Sequence, residues 1–537
     1  MKMYYSARVM FSFRFLVTAI AIIICTQSFA QNLPVNVTDD WYLLDYEDDN
    51  VVGLSAHKAY KKLLKRKKAD TVVVAVIDSG IDIDHEDLAA VIWRNLDEVG
   101  GNGVDDDGNG YVDDVYGWNF LGGPDGNVYY DTYEFVRVLQ KLTPGFQSGD
   151  LDSVELATYL NARAYYDRAL TEHEENLAYL QNLSSTYDHY AMMLKDKLQT
   201  DSLVYEDLKR IDPADSAADI ARRFMGLVHV FYGTVGSNVF KQDAEELMLD
   251  YANFDMNTDF RTIVNDSLPY YGNADVDGPD PSHGTHVAGI IGAIRNNKLG
   301  MDGIAPAVKI MPIRAVPNGD ERDMDVANAI RYAVDNGAKV INMSFGKNFS
   351  PEKYLVDSAA RYAGAKGVLL IHGAGNEHMN IDSVGNYPNR LLNNGTELTN
   401  WIEVGATFAT ADVNLVAEFS NYGKHQVDIF APGVHIFSTT PDNTYEHYDG
   451  TSMAAPMVTG LAALLWSYYP QLTMLQVRQI ILESAIPYGT YQVRVPGGDS
   501  LVEFSELSKT GSVINVYNAV LMAEELTAAQ PDNILKN

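Results

Sequence analysis

The stretch Gly450-Thr-Ser-Met-Ala-Ala-Pro456 places a serine between a glycine and an apolar run that continues to Trp466. The run from Met453 predicts a buried helix with Ser452 at its beginning. A serine hydroxyl is a weak nucleophile until a neighbouring base removes its proton. The stretch therefore indicates nucleophilic chemistry only if the chain also supplies a base and a carboxylate that orients the base.

Two other segments contain such groups. Thr71-Val-Val-Val-Ala-Val-Ile-Asp78 is a β-branched apolar run that ends in an acid. Ser282-His283-Gly-Thr-His286 begins a second apolar helix pattern. Taken singly, each residue has an ordinary explanation, because a strand-ending aspartate is often a turn residue and a histidine or serine at a helix start is often a cap.

The order Asp78, His283, Ser452, with these flanking strings, resembles the subtilisin-like serine proteases (subtilases) over roughly residues 71–120 and 276–525. The resemblance implies that Ser452 attacks a peptide carbonyl, that His283 is its base and that Asp78 orients the imidazole. A fourth match is Gly373-Ala-Gly-Asn376-Glu377. The family keeps its oxyanion asparagine there, so Asn376 is the expected donor to the developing negative charge.

Two matched segments concern substrate binding. The run Asn342-Met-Ser-Phe-Gly346 resembles the edge that pairs with substrate backbone, and Gly373-Ala-Gly375 resembles the opposite wall of the primary specificity pocket. Backbone pairing depends little on peptide sequence, and the lack of an acid in both segments favours apolar side chains. The alternative is a core strand end with a glycine turn. The implied substrate-binding residues are Ser344, Phe345, Gly346, Gly373, Ala374 and Gly375.

Apolar runs and helical patterns alternate along the chain. This alternation predicts an α/β fold, a subtilisin-like three-layer sandwich with a mostly parallel central sheet and helices on both faces. Ligand sites in such sheets lie beyond the carboxyl ends of strands, where Asp78 and Asn376 fall. The predicted strands lie at 71–77, 308–313, 338–343 and 367–371, and the predicted helices at 284–295, 323–336 and 351–365.

A large helical insertion, residues 121–275, has no counterpart in the family pattern. Its segment from Asp150 through Asp212 contains neither glycine nor proline, and apolar residues recur there at helical spacing. This predicts long amphipathic helices in a hairpin or small bundle, with further helices at 216–230 and 241–251. We expect the insertion either to restrict access to flexible or short peptides or merely to add bulk.

An acidic loop lies between Asn95 and Asp114, with seven acidic residues and neither lysine nor arginine. Oxygen-bearing residues alternate with glycines there, as calcium loops require. The twelfth position is Tyr116 and not the glutamate of an EF-hand, and a solvated acidic turn is the alternative. We expect a structural Ca²⁺, and the candidate ligands are Asp105, Asp107, Asn109, the Tyr111 carbonyl, Asp113 and Asp114.

The first thirty residues predict export. Basic residues precede an apolar stretch, and Ser28-Phe-Ala30 ends it with small residues, as in a secretory signal peptide. We expect a secreted or periplasmic protein without stable membrane insertion after cleavage, and lipid attachment at Cys25 is the alternative. The formal net charge of −32 argues against nucleic-acid partners.

The sequence thus predicts a secreted serine endopeptidase that acts on peptides or proteins. One alternative is a secreted binding or scaffold protein with a vestigial protease core, and another is an esterase or peptide ligase with the same nucleophile. The predicted organisation is a signal peptide (1–30), an N-terminal segment (31–70), a first catalytic part with the acidic loop (71–120), the helical insertion (121–275), a second catalytic part (276–525) and a C-terminal tail (526–537).

Overall fold

The computed structural model describes residues 37–529. The predicted signal peptide (1–30) and the last residues of the predicted tail (530–537) lie outside that range. Within it the helices are α1 (Tyr46–Asp49), α2 (Ala56–Ala59), α3 (Glu134–Ser148), α4 (Ser153–Leu198), α5 (Ser216–Tyr232), α6 (Val239–Leu249), α7 (Ser282–Gly292), α8 (Asp323–Asp335), α9 (Lys353–Ala365), α10 (Thr451–Tyr468), α11 (Met474–Glu483) and α12 (Val516–Ala528).

Fifteen strands lie in the same described range. They are β1 (Val72–Asp78), β2 (Trp118–Asn119), β3 (Gly122–Gly123), β4 (Gly126–Asn127), β5 (Val308–Arg314), β6 (Val340–Met343), β7 (Leu369–Gly373), β8 (Trp401–Thr407), β9 (Ile429–Pro432), β10 (Ile436–Thr440), β11 (Thr444–Tyr448), β12 (Ile486–Pro487), β13 (Gln492–Arg494), β14 (Leu501–Glu503) and β15 (Ser512–Val513).

Nine strands form one sheet in the order β12-β15-β9-β8-β7-β6-β1-β5-β2. Every pairing in it is parallel except that of β12 with β15. The central strands β6, β7 and β8 are buried along their whole length. Parallel strands covered on both faces read as continuous apolar runs, which is why the sequence located β6 and β7. It did not locate β8, whose apolar run is interrupted by Glu403. The predicted α/β fold with a mostly parallel sheet is confirmed.

Successive residues of β1 enter two different hydrophobic clusters. Val74 and Val76 pack in the cluster that contains α7 and α10. Ala75 and Ile77 pack in the cluster that contains α8 and α9. Because side chains alternate across a strand, the sheet lies between two helical layers, and the three-layer sandwich is confirmed.

Helix α10 is buried on every side. Each of its residues except Tyr468 is buried, as expected for a helix that is apolar all round. It contacts five neighbouring strands of the sheet, β1, β6, β7, β8 and β9. Its first turn, with Ser452, is therefore held at a fixed position relative to the carboxyl ends of those strands.

The described part of the N-terminal segment packs into the same core. Trp41, Tyr42 and Leu54 are all 0% exposed. The Trp41 indole donates to the His435 carbonyl (3.2 Å), and the Tyr42 hydroxyl donates to the Phe437 carbonyl (3.0 Å). This segment is therefore an integral part of the folded core.

The insertion is organised along α4, a helix of 46 residues that spans about 69 Å. Near its start, side chains from α3, α4 and Phe254 form a base cluster. Near its end, side chains from α4, α5 and α6 form a head cluster. In residues 37–529, no helix combines the length and the apolar composition that a membrane crossing needs.

Candidate active site

Asp78 and His283 meet at the carboxyl edge of the sheet. Asp78 is the last residue of β1, and His283 lies in the first turn of α7. The His283 Nδ1 lies 2.6 Å from Asp78 Oδ1, and both side chains are buried. A carboxylate at Nδ1 fixes the tautomer in which Nδ1 carries the hydrogen and Nε2 is the basic nitrogen.

The contact between acid and histidine depends on the glycine that follows the histidine. A Cβ on Gly284 would lie 2.1 Å from the Gly80 carbonyl oxygen and 3.1 Å from the Asp78 Cβ. The first distance is too short for any side chain, because it is an overlap with a backbone oxygen, and the second is a tight contact. Any other residue at position 284 would therefore push α7 away from β1 and lengthen the distance between the His283 and Asp78 side chains.

Ser452 lies at the end of the strand next to β1. Strands β6 and β1 pair through Met343 and Ile77, so Ser344 and Asp78 follow paired residues on strands about 4.8 Å apart. The Ser452 hydroxyl donates to the Ser344 carbonyl (3.1 Å). Ser452 is 9% exposed, against 2% for Asp78. The structure therefore brings the predicted nucleophile to the same sheet edge as the acid and the histidine.

The amide of Asn376 is oriented by Thr451. Its Oδ1 accepts hydrogen bonds from the Thr451 backbone N–H (2.9 Å) and from the Thr451 hydroxyl (3.0 Å). Two donors identify this atom as the amide oxygen and turn the NH₂ group to the other side. Thr451 lies inside the stretch that predicted the nucleophile, but its orienting role follows only from this contact.

The first predicted wall segment, residues 344–346, lies against Ser452 and β7. The Ser344 hydroxyl donates to the Ser452 carbonyl (2.9 Å). The Phe345 carbonyl faces the buried His372, whose Nε2 lies 2.7 Å away. A Cβ on Gly346 would lie 3.2 Å from the Asn386 side-chain oxygen, so this segment packs closely against the loop that contains Asn386.

The second predicted wall segment, residues 373–375, lies on the other side of Thr451. A Cβ on Gly373 would lie 3.1 Å from the Thr451 carbonyl oxygen. The Ala374 carbonyl accepts from the side-chain amides of Asn386 (3.1 Å) and Asn421 (2.9 Å). The Gly375 N–H donates to the Thr451 hydroxyl (3.0 Å). The two segments thus flank the start of α10.

His286 lies one turn further along α7 and is fully buried. Its Nε2 lies 3.0 Å from the Ile436 carbonyl and 3.1 Å from the Glu446 carbonyl, and its ring stacks on Tyr448. Burial lowers the pKa of His286 to about 3. A neutral histidine that bonds two strands of a hairpin fits a structural role.

Three acids of the acidic loop come together. Carboxylate oxygens of Glu98, Asp105 and Asp107 lie within 4.8 Å of one another. Glu98 is 4% exposed, and its Oε2 is buried without a hydrogen bond from the described residues. A buried carboxylate oxygen without a donor is unfavourable unless a cation compensates it. The group is therefore a possible cation site, and Glu98 joins it although the sequence pattern did not select it as a ligand.

Two of the predicted ligands, Asp113 and Asp114, accept hydrogen bonds from the protein and lie outside the three-acid group. Asp113 accepts from the backbone N–H groups of Asn102 (3.1 Å) and Gly103 (3.0 Å). Asp114 accepts from the Tyr332 hydroxyl (2.7 Å), and burial raises the pKa of Asp114 to about 6. Asp113 thus ties the loop to itself, and Asp114 ties it to α8.

Asn109 and Tyr111 form the turn between the acids. The Asn109 side-chain NH₂ donates to Asp107 (3.0 Å) and Asp114 (3.0 Å), and its oxygen accepts from the Tyr111 N–H (2.7 Å). The Tyr111 ring packs on Trp118 and Tyr332. Of the six predicted ligands, Asp105 and Asp107 lie in the three-acid group.

The insertion bonds to the protein beside the first wall segment. The Asn318 N–H donates to the Tyr129 carbonyl (2.7 Å), and the Asp131 N–H donates to the Asn318 carbonyl (2.9 Å). At the start of α3, Glu134 accepts from the buried ammonium of Lys347 (2.7 Å). Because Lys347 directly follows Gly346, the insertion is attached at the rim of the candidate site.

Known proteins of similar sequence include two proteases. The thermophilic serine proteinase of Bacillus sp. (strain AK1) is 40% identical over 244 residues, which are 44% of this chain and 52% of the proteinase. Thermitase of Thermoactinomyces vulgaris is 39% identical over 206 residues, which are 38% of this chain and 65% of thermitase. Among solved structures, proteases from Pseudoalteromonas arctica PAMC 21717 give 25% identity and a TM-score of 0.38, over 47% of this chain and 78% of that chain.

The matched segment spans little more than half of the Bacillus proteinase and less than two thirds of thermitase. The family comparison covers far more of this chain. The model of the Subtilase family matches residues 69–513, which include Asp78, His283, Asn376 and Ser452. On that match, the chain belongs to the subtilase family.

Proposed function

We propose that this chain is a serine endopeptidase that hydrolyses peptide bonds. The observation that carries the proposal is the 2.6 Å contact between His283 Nδ1 and Asp78 Oδ1 beside Ser452. Membership of the subtilase family supports it. In this proposal Ser452 is the nucleophile, His283 is the general base and acid, and Asp78 stabilises the imidazolium.

The reaction begins when the Ser452 hydroxyl turns from the Ser344 carbonyl toward His283 Nε2. The Ser452 oxygen bonds to the peptide carbonyl carbon, its proton passes to His283, and the carbonyl oxygen becomes negative. His283 then gives the proton to the leaving amine as the C–N bond breaks. Water repeats the sequence on the acyl group, which releases the second product and restores Ser452.

Asn376 and the Ser452 backbone N–H would stabilise the negative oxygen. The Thr451 donors occupy the Asn376 Oδ1, so the NH₂ group is oriented before the substrate binds. Preorganised donors of this kind need no rearrangement during the reaction. Loss of one such donor costs about 3 kcal/mol of transition-state stabilisation, a value measured in subtilisin.

The peptide would lie between the two wall segments. Ser344, Phe345 and Gly346 would pair with its backbone, and Gly373, Ala374 and Gly375 would form the opposite wall of the pocket. An apolar side chain suits this pocket because neither segment carries an acid.

The insertion would limit which substrates reach Ser452. Support comes from its attachment through Glu134 and Lys347 at the rim. Although burial raises the pKa of Glu134, Lys347 and Arg137 lower it to about 2. The ion pair therefore persists across the physiological pH range and keeps the base of the insertion beside the substrate edge. Flexible or short peptides would pass more readily than folded proteins.

A calcium ion would stabilise the acidic loop. Oxygen ligands are the type that calcium prefers, and the buried, unpartnered Oε2 of Glu98 gives the group of Glu98, Asp105 and Asp107 an uncompensated charge. The ion would offset their mutual repulsion. Its role would be structural, because these acids belong to the loop that follows β1 and not to the group around Ser452.

The predicted export signal fits the same proposal. Residues 1–30 read as a secretory signal peptide, so the enzyme would act outside the cytoplasm. A protease of broad sequence tolerance is then separated from the proteins of the cell that makes it.

Casein digestion by the wild type and by Ser452→Ala tests the proposed function. The substitution should lower the rate by roughly six orders of magnitude, the size of the loss on removing the nucleophile of subtilisin. Circular dichroism should be unchanged, and mass spectrometry should find hydrolysed and not ligated peptides. No activity of the wild type would favour the scaffold alternative, and equal activity of the two proteins would contradict Ser452 as the nucleophile.

A further inference from the structure

A buried histidine and glutamate lie directly beneath the two wall segments. His372 on β7 and Glu403 on β8 are register partners in the parallel sheet. Their exposures are 0% and 3%, and the His372 Nδ1 lies 2.8 Å from Glu403 Oε1. Two titratable side chains at the centre of an apolar sheet cost free energy unless they are hydrogen-bonded, and the proposed reaction uses neither of them.

The hydrogen bonds fix how the pair is arranged. A carbonyl oxygen can only accept, so the His372 Nε2 carries a hydrogen that it donates to the Phe345 carbonyl (2.7 Å). The Trp401 indole donates to Glu403 Oε2 (2.8 Å). The remaining hydrogen therefore lies between Nδ1 and Oε1. Both ring nitrogens are occupied, and the imidazole cannot turn without breaking a buried hydrogen bond.

The His372 side chain extends the sheet beyond its last backbone pair. The ladder between β6 and β7 ends at the pair of Met343 with His372. Two residues further on, the Phe345 carbonyl has the imidazole as its donor. Successive carbonyls of an extended segment point to opposite sides. Because the Phe345 carbonyl is held toward His372, the carbonyls of Ser344 and Gly346 are held toward the opposite side, where the peptide would bind.

The same network touches the other wall. The Asn386 side-chain NH₂ donates to the Ala374 carbonyl (3.1 Å) and lies 3.5 Å from Glu403 Oε1. One connected group of buried and half-buried polar side chains thus bonds a carbonyl of each wall segment. The separation of the two walls is set by side chains below them as well as by the backbone.

We infer that His372, held by Glu403, is a positioning residue that fixes the Phe345 carbonyl and thereby sets the side-chain selectivity of the primary specificity pocket. This inference rests on the proposed peptidase function. Loss of the His372 to Phe345 hydrogen bond leaves the first wall free to shift, which weakens binding of a large side chain most. A small side chain, which uses little of the wall, is affected least.

Kinetics of four full-length variants test this inference on three peptide anilides that differ only in the residue before the scissile bond, alanine, leucine or phenylalanine. The variants are His372→Gln, Glu403→Gln, Trp401→Phe and the control His425→Gln, which alters an exposed histidine. Titration with diisopropyl fluorophosphate counts active molecules, so poorly folded protein does not enter the rates.

For His372→Gln and Glu403→Gln we expect kcat/KM to fall at least about tenfold for phenylalanine and less than about threefold for alanine, with unchanged reactivity toward the fluorophosphate. Trp401→Phe, which removes one hydrogen bond to Glu403, should give a smaller shift in the same direction, and His425→Gln none. An unchanged selectivity ratio, or an equal loss for all substrates and for the fluorophosphate, would overturn the inference. A wild type that cleaves none of the anilides would instead defeat the proposed function.

Discussion

Helix α10 and helix α4 show two ways in which this protein holds a helix. All of α10 except its last residue is buried, whereas only eight of the 46 residues of α4 are. One face of the sheet and the helices α7, α11 and α12 cover α10 and fix its first turn, so Ser452 can be held with the accuracy that bond formation requires. The insertion around α4 is held by two small clusters, so it suits the control of access and not the chemistry itself.

The contact between the core and the insertion differs in composition from both regions. The core is apolar, but the base of the insertion meets it through buried charges, with Lys347 between Glu134 and Asp323. Buried ion pairs of this kind fix the orientation of the insertion relative to the core, and the desolvation of their charges costs free energy. If the comparison is right, changes to the four residues of the proposed reaction, Asp78, His283, Asn376 and Ser452, alter catalysis of every substrate equally. Changes in the insertion alter the preference between a folded protein and a short peptide.

Among the tests of this comparison, the largest effect is expected from Asn376→Ala at the sheet edge. The value of kcat should fall about 10²- to 10³-fold with little change in KM, because the lost donor acts only on the transition state. Steady-state kinetics on several peptides and on a protein substrate measure this. Asn394→Ala, in an exposed loop, is the control and should match the wild type. Losses that differ between substrates would break the comparison.

A second test removes the head of the insertion. The rings of His173 and Tyr251 lie 4.5 Å apart, so residues 174–247 can be replaced by a short glycine linker that leaves the base cluster in place. Rates on a short peptide should stay the same, and the rate on a folded protein should rise at least about tenfold, or 1.4 kcal/mol. If the shortened enzyme folds and the ratio of its rates on the two substrates is unchanged, the head does not control access and only adds bulk.

Calcium should affect stability before it affects rate. In a Ser452→Ala background, which prevents self-digestion, a chelator should lower the melting temperature by roughly 5 °C. Glu98→Gln and Asp107→Asn should lose this response, while Asp97→Asn, an exposed acid outside the three-acid group, should keep it. Scanning calorimetry with and without Ca²⁺ measures the difference. A melting temperature that ignores the chelator would exclude the ion.

The smallest effect concerns His286. The pKa of His286 is about 3 in the folded protein and about 6.5 when unfolded. Below pH 6.5 the unfolded chain therefore binds more protons than the folded protein, and the free energy of unfolding decreases as the pH is lowered. Between pH 7 and pH 5 this removes about 2 kcal/mol of unfolding free energy. In urea titrations, the unfolding free energy of His286→Gln in the Ser452→Ala background should decrease between pH 7 and pH 5 by about 2 kcal/mol less than that of the parent. The control His425→Gln should behave as the wild type does, and equal losses in all three would contradict the pKa.

The sequence predicted four strands of the nine-stranded sheet and proposed the candidate site residues because each of them lies in a local pattern. Strands such as Val340–Met343 are buried on both faces and stand out as apolar runs. Helix α3 was missed because Pro144 and Gly145 interrupt its pattern. Contacts between residues far apart in the sequence could not be predicted. His372 and Glu403, for example, meet only because of the register between β7 and β8.

For the acidic loop, too, the sequence predicted the kind of site but not the residues that come together in it. Its composition indicated a cation, yet Glu98 lies outside the alternating spacing that selected the candidates, and Asp114 is directed to Tyr332 on another element. Ligand identity depends on how the loop folds back on itself. The orienting role of Thr451 likewise depends on a residue 75 positions away.

The central claim, that Asp78 and His283 activate Ser452, is tested most directly by the rate at which a fluorophosphonate labels Ser452. Mass spectrometry should locate the label on Ser452 in the wild type, and His283→Ala and Asp78→Asn should each slow labelling at least about 10³-fold. Labelling of another residue, or equal rates in all three proteins, would contradict the account.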